Sequence, residues 1–240
     1  MFGRRAQASA AATATATANG TAAGDGTTAA PVTIKVSKAG KDIEGSVLLA
    51  PVSLTVRSGR CLVLRGANGS GKTTLLKILA GALEPSTGTA TLDDGPLDER
   101  DAATRARVAA LVGSPTAYRD LTLIDHLVLI DSTWGGAIDT ADERADEMLA
   151  TLEIDHLSER FPHELSSGQQ QLFHLAMVLF RPSQVLLLDE PEQRLDTHKR
   201  ELLTQILLAR KASGTALVVA CHDPVMTSAL ADKVLDITGA

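Results

Sequence analysis

The sequence predicts an α/β fold built on a largely parallel sheet. From residue 31 onward, short runs of β-branched and aliphatic residues alternate with helical stretches, which is typical of such sheets. Between about residues 114 and 181 the helical periodicity continues without an obvious strand. We therefore expect an α/β core made of residues 31–112 and 182–240, with residues 113–181 inserted as a helical subdomain.

The elements are predicted in chain order from these patterns. Strands are expected at the apolar runs 32–36, 61–64, 108–112, 185–188 and 216–220. Helices of the core are expected between them, at residues 73–83, 197–213 and 224–231. The insert shows helical periodicity at residues 121–130, 141–152 and 167–180.

Residues 1–30 differ in composition from the rest of the chain. Ala, Thr and Gly fill 22 of these 30 positions, which leaves too few large apolar side chains to offset the entropy of ordering. We interpret the segment as a disordered tail. The apolar region of a secretory signal is missing, but an organellar transit peptide remains an alternative because the first acidic residue is Asp25.

The composition excludes several classes of protein. The 240 residues include 23 basic and 29 acidic side chains, a net charge of −6, so we expect no nucleic-acid partner. Two cysteines, Cys61 and Cys221, are too few for a disulfide framework or a multi-cysteine zinc module. Cys221 neighbours His222 and is interpreted as a buried small hydrophobic side chain, with a redox switch as the alternative. No apolar run approaches the roughly 20 residues of a membrane-spanning helix.

Residues 66–74 predict a phosphate-binding loop. They read Gly-Ala-Asn-Gly-Ser-Gly-Lys-Thr-Thr, follow an expected strand and precede an expected helix, which is the P-loop pattern in its proper context. Lys72 would reach the β- and γ-phosphates, and the hydroxyl of Thr73 would bind Mg²⁺. The expected ATP-binding residues are Gly66, Ala67, Asn68, Gly69, Ser70, Gly71, Lys72, Thr73 and Thr74.

Two carboxylates predict the second half of this site. Asp189 and Glu190 end the apolar run 185–188, and ligands of parallel sheets lie beyond the carboxyl ends of the strands. We expect Asp189 to hold Mg²⁺ together with Thr73. Glu190 is placed to accept a proton from the attacking water as a general base.

Between these motifs the chain resembles the ATP-binding cassette (ABC) ATPases. Their signature reads Leu-Ser-Gly-Gly-Gln, and here Leu165 is followed by Ser166, Ser167, Gly168 and Gln169. Leu195-Asp196 is similar to the D-loop of the family, and His222 is similar to its switch histidine. Five motifs occur in the order of the family, over residues 31–240. The resemblance implies a RecA-like P-loop NTPase core with an inserted helical subdomain.

The resemblance also implies that a complete site needs two chains. One chain carries one P-loop and one signature, so Ser166, Ser167, Gly168 and Gln169 would contact in trans the γ-phosphate held by the other cassette. Helix N-termini favour such anions. ATP would close a head-to-tail dimer, with a second copy or a paralogue, and hydrolysis would open it. His222 would contact the γ-phosphate and help orient the water and Glu190. Glu190 and His222 are the two expected catalytic residues.

The implied function is that of an ATP-hydrolysing subunit that energises a separate transmembrane permease. The chain would then be cytoplasmic and peripheral on the cytoplasmic face of the cell membrane. Pro115 and the segment 118–122 are similar to the antibiotic-exporter and peptide-immunity branch, which favours export. Two alternatives are a soluble non-transport ABC ATPase and a weakly active, nucleotide-gated subunit paired with another cassette.

Besides Ser167 in the signature, the chain departs from the family at several positions. No aromatic residue occurs between Phe2 and Tyr118, so residues 36–39 lack the ring that stacks on adenine. We therefore expect weakened nucleotide affinity and poor discrimination of ATP from GTP. Gly113 aligns with the Q-loop glutamine, a usual Mg²⁺ ligand, so we expect binding to survive and turnover to be slow. The D-loop, residues 190–196, lacks the usual small residues.

Overall fold

The structure is a computed structural model that describes residues 30–113 and 115–238. The predicted tail lies outside the described residues except for Ala30. Two sheets and a group of helices make up the described part of the chain.

A five-stranded parallel sheet forms the centre of the fold and confirms the predicted α/β class. Its strands are β3 (Cys61–Arg65), β6 (Val108–Leu111), β7 (Val185–Asp189), β8 (Ala216–Ala220) and β9 (Lys233–Asp236). They lie in the spatial order β6-β7-β8-β3-β9. All of β8 and the first four residues of β3 and β7 are buried, as expected for strands covered on both faces.

A second, antiparallel sheet contains elements that the sequence patterns did not predict. It comprises β1 (Thr33–Ile43), β2 (Ser46–Arg57), β4 (Thr87–Leu92) and β5 (Gly95–Pro96), in the order β2-β1-β4-β5. Only part of β1 was expected, at residues 32–36. A turn at Glu44 and Gly45 connects β1 to β2, and both residues have a positive φ (51° and 82°). Two central residues of this kind are typical of a tight hairpin turn.

Four helices accompany the strands of the core. They are α1 (Lys72–Leu79), α2 (Ala102–Arg107), α6 (Thr197–Ala212) and α7 (Pro224–Leu230). The helix predicted at 73–83 is shorter in the structure, because Gly81 takes a positive φ of 75° and turns the chain out of the helix. The short α2 was not predicted.

Three helices of 11 to 14 residues follow β6, in agreement with the periodicity of the sequence. They are α3 (Leu123–Thr133), α4 (Ala141–Thr151) and α5 (Ser167–Phe180), joined by 3₁₀ turns at Ile138–Thr140, Asp155–Leu157 and Pro162–Glu164. Capping boxes define where α3 and α5 begin: Thr122 pairs with Asp125, and Ser166 pairs with Gln169. No helix in the described residues is long and apolar enough to cross a membrane.

The central sheet separates two hydrophobic layers. On β3, Cys61 and Val63 face one layer and Leu62 and Leu64 face the other, because neighbouring side chains of a strand point to opposite faces. The first layer contains apolar residues of α3, α4, α5 and α6, and the second contains those of α1 and of the antiparallel sheet. Both faces of the sheet are thereby covered by apolar side chains. A ligand site can form at the loops that follow the carboxyl ends of its strands.

Candidate nucleotide-binding and catalytic site

The loop from β3 to α1 is a tight glycine-rich turn. Gly66 and Gly71 have positive φ values of 151° and 104°. A Cβ atom on Gly66 would lie 2.3 Å from the carbonyl oxygen of Ile237, and one on Gly71 would lie 2.7 Å from that of Leu48. No side chain fits at either position. The loop can therefore wrap closely round a phosphate and present its N–H groups to it.

Lys72 is buried at the first position of α1. Its Nζ donates hydrogen bonds to the carbonyl oxygens of Gly66 (2.8 Å) and Ala67 (3.2 Å). Its ammonium group also lies 3.8 Å from Oε1 of Glu190. Beside it, the buried hydroxyl of Ser70 has no hydrogen-bond partner in the described part of the chain. A buried polar group of this kind calls for an explanation, and an anion in the loop supplies one.

Thr73 and Asp189 meet at the carboxyl end of the sheet. The hydroxyl of Thr73 donates to Oδ2 of Asp189 at 2.6 Å. Hydroxyl and carboxylate oxygens are suitable ligands for Mg²⁺, which usually takes one or two protein ligands and completes its shell with phosphate and water. No group of three or more His, Cys, Asp or Glu residues that could hold a metal occurs in the described residues. The donor set fits a magnesium ion shared with phosphates.

Glu190 and His222 follow the neighbouring strands β7 and β8. The N–H of Glu190 donates to the carbonyl oxygen of Ala220 at 2.9 Å, which joins the two strand ends. Nε2 of His222 lies 3.1 Å from Oε1 of Glu190. The predicted catalytic pair is therefore in contact, and both side chains are partly exposed.

These residues line two adjoining clefts. One, of about 380 Å³, is bounded by Leu48, by P-loop residues and by Glu190. The other, of about 430 Å³, contains Thr73, Gly113, Asp189 and Glu190. A slightly larger cleft of about 450 Å³ lies among residues 81–100, and no P-loop residue lines it. The chemistry of the site therefore belongs to the two smaller clefts.

The predicted signature residues lie apart from the P-loop of the same chain. Ser166 and Ser167 are exposed, and Ser166 exchanges capping hydrogen bonds with Gln169. A Cβ atom on Gly168 would lie 2.8 Å from the carbonyl oxygen of Arg194, so the glycine allows α5 to approach the D-loop closely. None of the four signature residues lines the P-loop cleft.

Asp196, the predicted D-loop aspartate, caps a helix. Its Oδ1 accepts a hydrogen bond from the N–H of Lys199 at 2.8 Å and begins α6. Among the hydrogen bonds of the described residues, none joins Asp196 to the P-loop of its own chain. The structure thus groups the P-loop, Asp189, Glu190 and His222, and leaves the signature and Asp196 on a neighbouring surface.

Sequence reasoning missed three residues at this site. Oε1 of the buried Glu192 accepts the N–H of His222 at 2.7 Å, and Nε2 of Gln193 donates to Oε2 of Glu190. Leu48 lines the P-loop cleft from the β1–β2 hairpin. There was a reason in the sequence to suspect Glu192 and Gln193, because they follow Glu190 within three residues. There was no such reason to suspect Leu48, because the hairpin that carries it was not predicted.

Cys221 lies beside this network and is buried. Burial and the nearby carboxylate of Glu192 raise the pKa of the Cys221 thiol to about 12. The thiol is therefore neutral at physiological pH, in agreement with its interpretation as a small hydrophobic side chain.

The chain is similar to known proteins over the part that contains this site. The profile of the family described as "ABC transporter" matches residues 49–193. The chain is 36% identical over 211 residues to "Hemin import ATP-binding protein HmuV" of Thermobifida fusca, covering 86% of this chain and 74% of that protein. It is 35% identical over 195 residues to "Arabinose import ATP-binding protein AraG 2" of Burkholderia thailandensis, covering 78% of this chain and 36% of that protein.

A solved structure shares the fold. It is described as "Structure of ATP binding subunit of ABC transporter", and it aligns with a TM-score of 0.77 over 85% of each chain. The sequence identity is 23%, so the likeness is one of architecture.

Proposed function

The chain belongs to the ABC transporter family, and on that premise we propose that it binds and hydrolyses ATP as the energising subunit of a transporter. One observation carries the proposal: Lys72, Thr73, Asp189 and Glu190 converge at the carboxyl end of one sheet. This arrangement has a phosphate cradle, a place for a divalent cation and a carboxylate base within one continuous site.

The chemistry follows from the positions of these side chains. The loop N–H groups and Lys72 would bind the β- and γ-phosphates, and Thr73 and Asp189 would hold Mg²⁺, whose charge offsets that of the phosphates. Glu190 would take a proton from a water as its oxygen attacks the γ-phosphorus. The bond from the γ-phosphorus to the bridging oxygen then breaks, and ADP leaves with the electron pair. His222, 3.1 Å from Glu190, would orient that carboxylate and the water.

For the nucleotide base, the structure offers an aliphatic side chain. Leu48, which is exposed on the β1–β2 hairpin, lines the cleft next to the P-loop. We propose that the base contacts Leu48 instead of an aromatic ring. An aliphatic contact has no hydrogen bonds with which to tell adenine from guanine, so ATP and GTP would bind with similar affinity.

The partners are part of the same proposal. A second cassette, either another copy or a paralogue, would present Ser166, Ser167, Gly168 and Gln169 to the γ-phosphate, with Asp196 at the contact. A separate transmembrane permease would contact residues 113–181, which we propose as the helical subdomain, on the cytoplasmic face of the cell membrane. The net charge of −6 supports the absence of a nucleic-acid partner.

The direction of transport has two candidates. Residues 115–122 favour export, because of their similarity to the exporter branch. HmuV and AraG 2 are both named for import, which favours import as the second candidate. Uptake or release of cargo by vesicles that contain the chain and its permease would decide between them.

Phosphate release by the purified chain tests the proposed activity. Mg²⁺-dependent hydrolysis is expected, and Glu190→Gln should lower turnover at least 100-fold while nucleotide binding persists, because the general base is removed and the cradle is intact. Glu201→Gln, an exposed carboxylate of α6, is the matched control. Equal turnover in Glu190→Gln would contradict the proposal.

Purification from gently solubilised membranes of the native host tests the partners. A polytopic membrane protein in stoichiometric amount would support the transporter. Soluble partners alone would favour the non-transport ATPase. A second, more active cassette, with little turnover by this chain alone, would favour the nucleotide-gated subunit.

A further inference from the structure

The carboxylate of Glu190 is held from several sides. Its Oε1 lies 3.1 Å from Nε2 of His222 and 3.8 Å from Nζ of Lys72. Its Oε2 accepts a hydrogen bond from Nε2 of Gln193. Each oxygen therefore has its own neighbours, and the side-chain amide of Gln193 is the neighbour of the oxygen that faces away from His222.

Gln193 is joined to Glu190 through its backbone as well. Its N–H donates to the carbonyl oxygen of Glu190 at 3.1 Å, which closes a turn directly after β7. Glu190 before this turn and Arg194 after Gln193 both have positive φ, 49° and 64°. These conformations are uncommon for residues with a side chain, and they lie at the two ends of the turn that holds residue 193 close to residue 190.

The contact of Gln193 with Glu190 lies in one of the two clefts of the site. Gln193 lines the cleft of about 430 Å³ together with Thr73, Asp189 and Glu190. A Cβ atom on Gly113, which borders the same cleft, would meet nothing within 4 Å. The amide of Gln171 is used elsewhere, since it donates to the carbonyl oxygen of Pro191 at 3.2 Å.

We propose that Gln193 is a positioning residue for the base Glu190. The terminal torsion of a glutamate side chain is broad, so a carboxylate bound through one oxygen can still turn. A donor on Oε2 opposes that rotation and keeps Oε1 directed at His222 and the phosphate loop, where the proton is accepted. The inference rests on the proposed ATPase function and adds a residue that acts through Glu190 and does not touch the nucleotide.

The test compares two substitutions of similar length. Gln193→Met keeps the reach of the side chain and removes the donor, and Gln193→Glu places a second carboxylate against Glu190. We expect kcat to fall about tenfold in Gln193→Met and further in Gln193→Glu, with KM for ATP within about twofold, because the base is misdirected and the cradle is unchanged. Gln205→Met, an exposed glutamine on α6, should match the wild type.

A second readout does not need turnover. The ¹⁵N resonances of the His222 ring in the nucleotide-free chain, assigned by their loss in His222→Ala, report the contact with Glu190. They should shift in Gln193→Met and stay unchanged in Gln205→Met. A contact that Gln193 made only with a second cassette would not move them.

The rate and the resonances together decide the inference, and an unchanged kcat in Gln193→Met of an active chain overturns it. Lowered kcat with shifted His222 resonances supports the inference. Unchanged resonances in Gln193→Met overturn it, whatever the rate. If the wild type does not hydrolyse ATP but the resonances shift, the proposed function fails and the positioning of Glu190 by Gln193 stands.

Discussion

Leu48→Tyr should raise the affinity of the chain for nucleotide. Leu48 is 39% exposed and borders the P-loop cleft, and its carbonyl oxygen would lie 2.7 Å from a Cβ atom on Gly71. A tyrosine at this strand position would present a flat ring to the base of a nucleotide whose phosphates are bound by the P-loop. Aromatic residues are well accepted in strands, so the hairpin should form as before.

The size of the effect follows from two terms. Stacking of a base on an aromatic ring contributes about 1–3 kcal/mol. Against this stands the contact that Leu48 already makes, about 0.5 kcal/mol for an apolar area of about 20 Å². The net gain is about 0.5–2.5 kcal/mol, so the dissociation constant should fall roughly twofold to seventyfold.

Calorimetric titration with ATP and with GTP measures this gain. The titration is best done in a Glu190→Gln background, so that nucleotide is not consumed. Leu129→Tyr is the control, because Leu129 has a similar exposure of 43% and lies on α3. An unchanged affinity for both nucleotides in Leu48→Tyr would refute the idea that the base passes over this residue.

Three further predictions concern single residues of the described fold. Gly113→Gln should fold, because its Cβ meets open space and the strain of a side chain at a φ of 77° is only about 1–2 kcal/mol. The rate of ATP turnover and its dependence on Mg²⁺ should rise. No change in either would contradict the expected role of position 113. Burial raises the pKa of Cys61 and Cys221 to about 12, so a thiol reagent at pH 8 should label them only after unfolding, and rapid labelling of the folded chain would contradict this. Asp223→Ala should destabilise the chain by about 1 kcal/mol at pH 7, since Asp223 caps α7. The N–H of Met226 holds the pKa of Asp223 below its usual value of 3.8, so this difference in urea unfolding should be present above that value and disappear as the pH falls through the lowered pKa; an equal difference at pH 7 and pH 2 would be contrary.

The parts of the site that sequence predicts are those that local rules determine. The P-loop is one continuous stretch, and two of its glycines, Gly66 and Gly71, stand where a Cβ atom would clash with a carbonyl oxygen. Asp189 could be placed because the carboxyl ends of parallel strands share one edge of a sheet. The start of α5 was predictable as well, since Ser166 and Gln169 form a capping box.

The parts that sequence does not predict depend on pairing between distant segments. β1 pairs with β4 at Val36 and Ala90, and its register with β2 shifts between Val36 and Ala39. A bulge of this kind breaks the alternation from which a long strand would be recognised. The contact of Gln193 with Glu190 depends on the turn in which the N–H of Gln193 donates to the carbonyl oxygen of Glu190, and no residue preference in this segment indicates that turn.

The order of the central sheet has a consequence for synthesis of the chain. Strand β3 carries the P-loop, yet its neighbours are β8 and β9: Leu62 pairs with Val218 on one side and with Lys233 on the other. At about 5–20 residues per second, the roughly 150 residues that separate these partners take about 8–30 s to translate. During that interval the P-loop residues are present without the strands that shape the loop. Nucleotide can therefore stabilise the fold by mass action only after the last strand has left the ribosome.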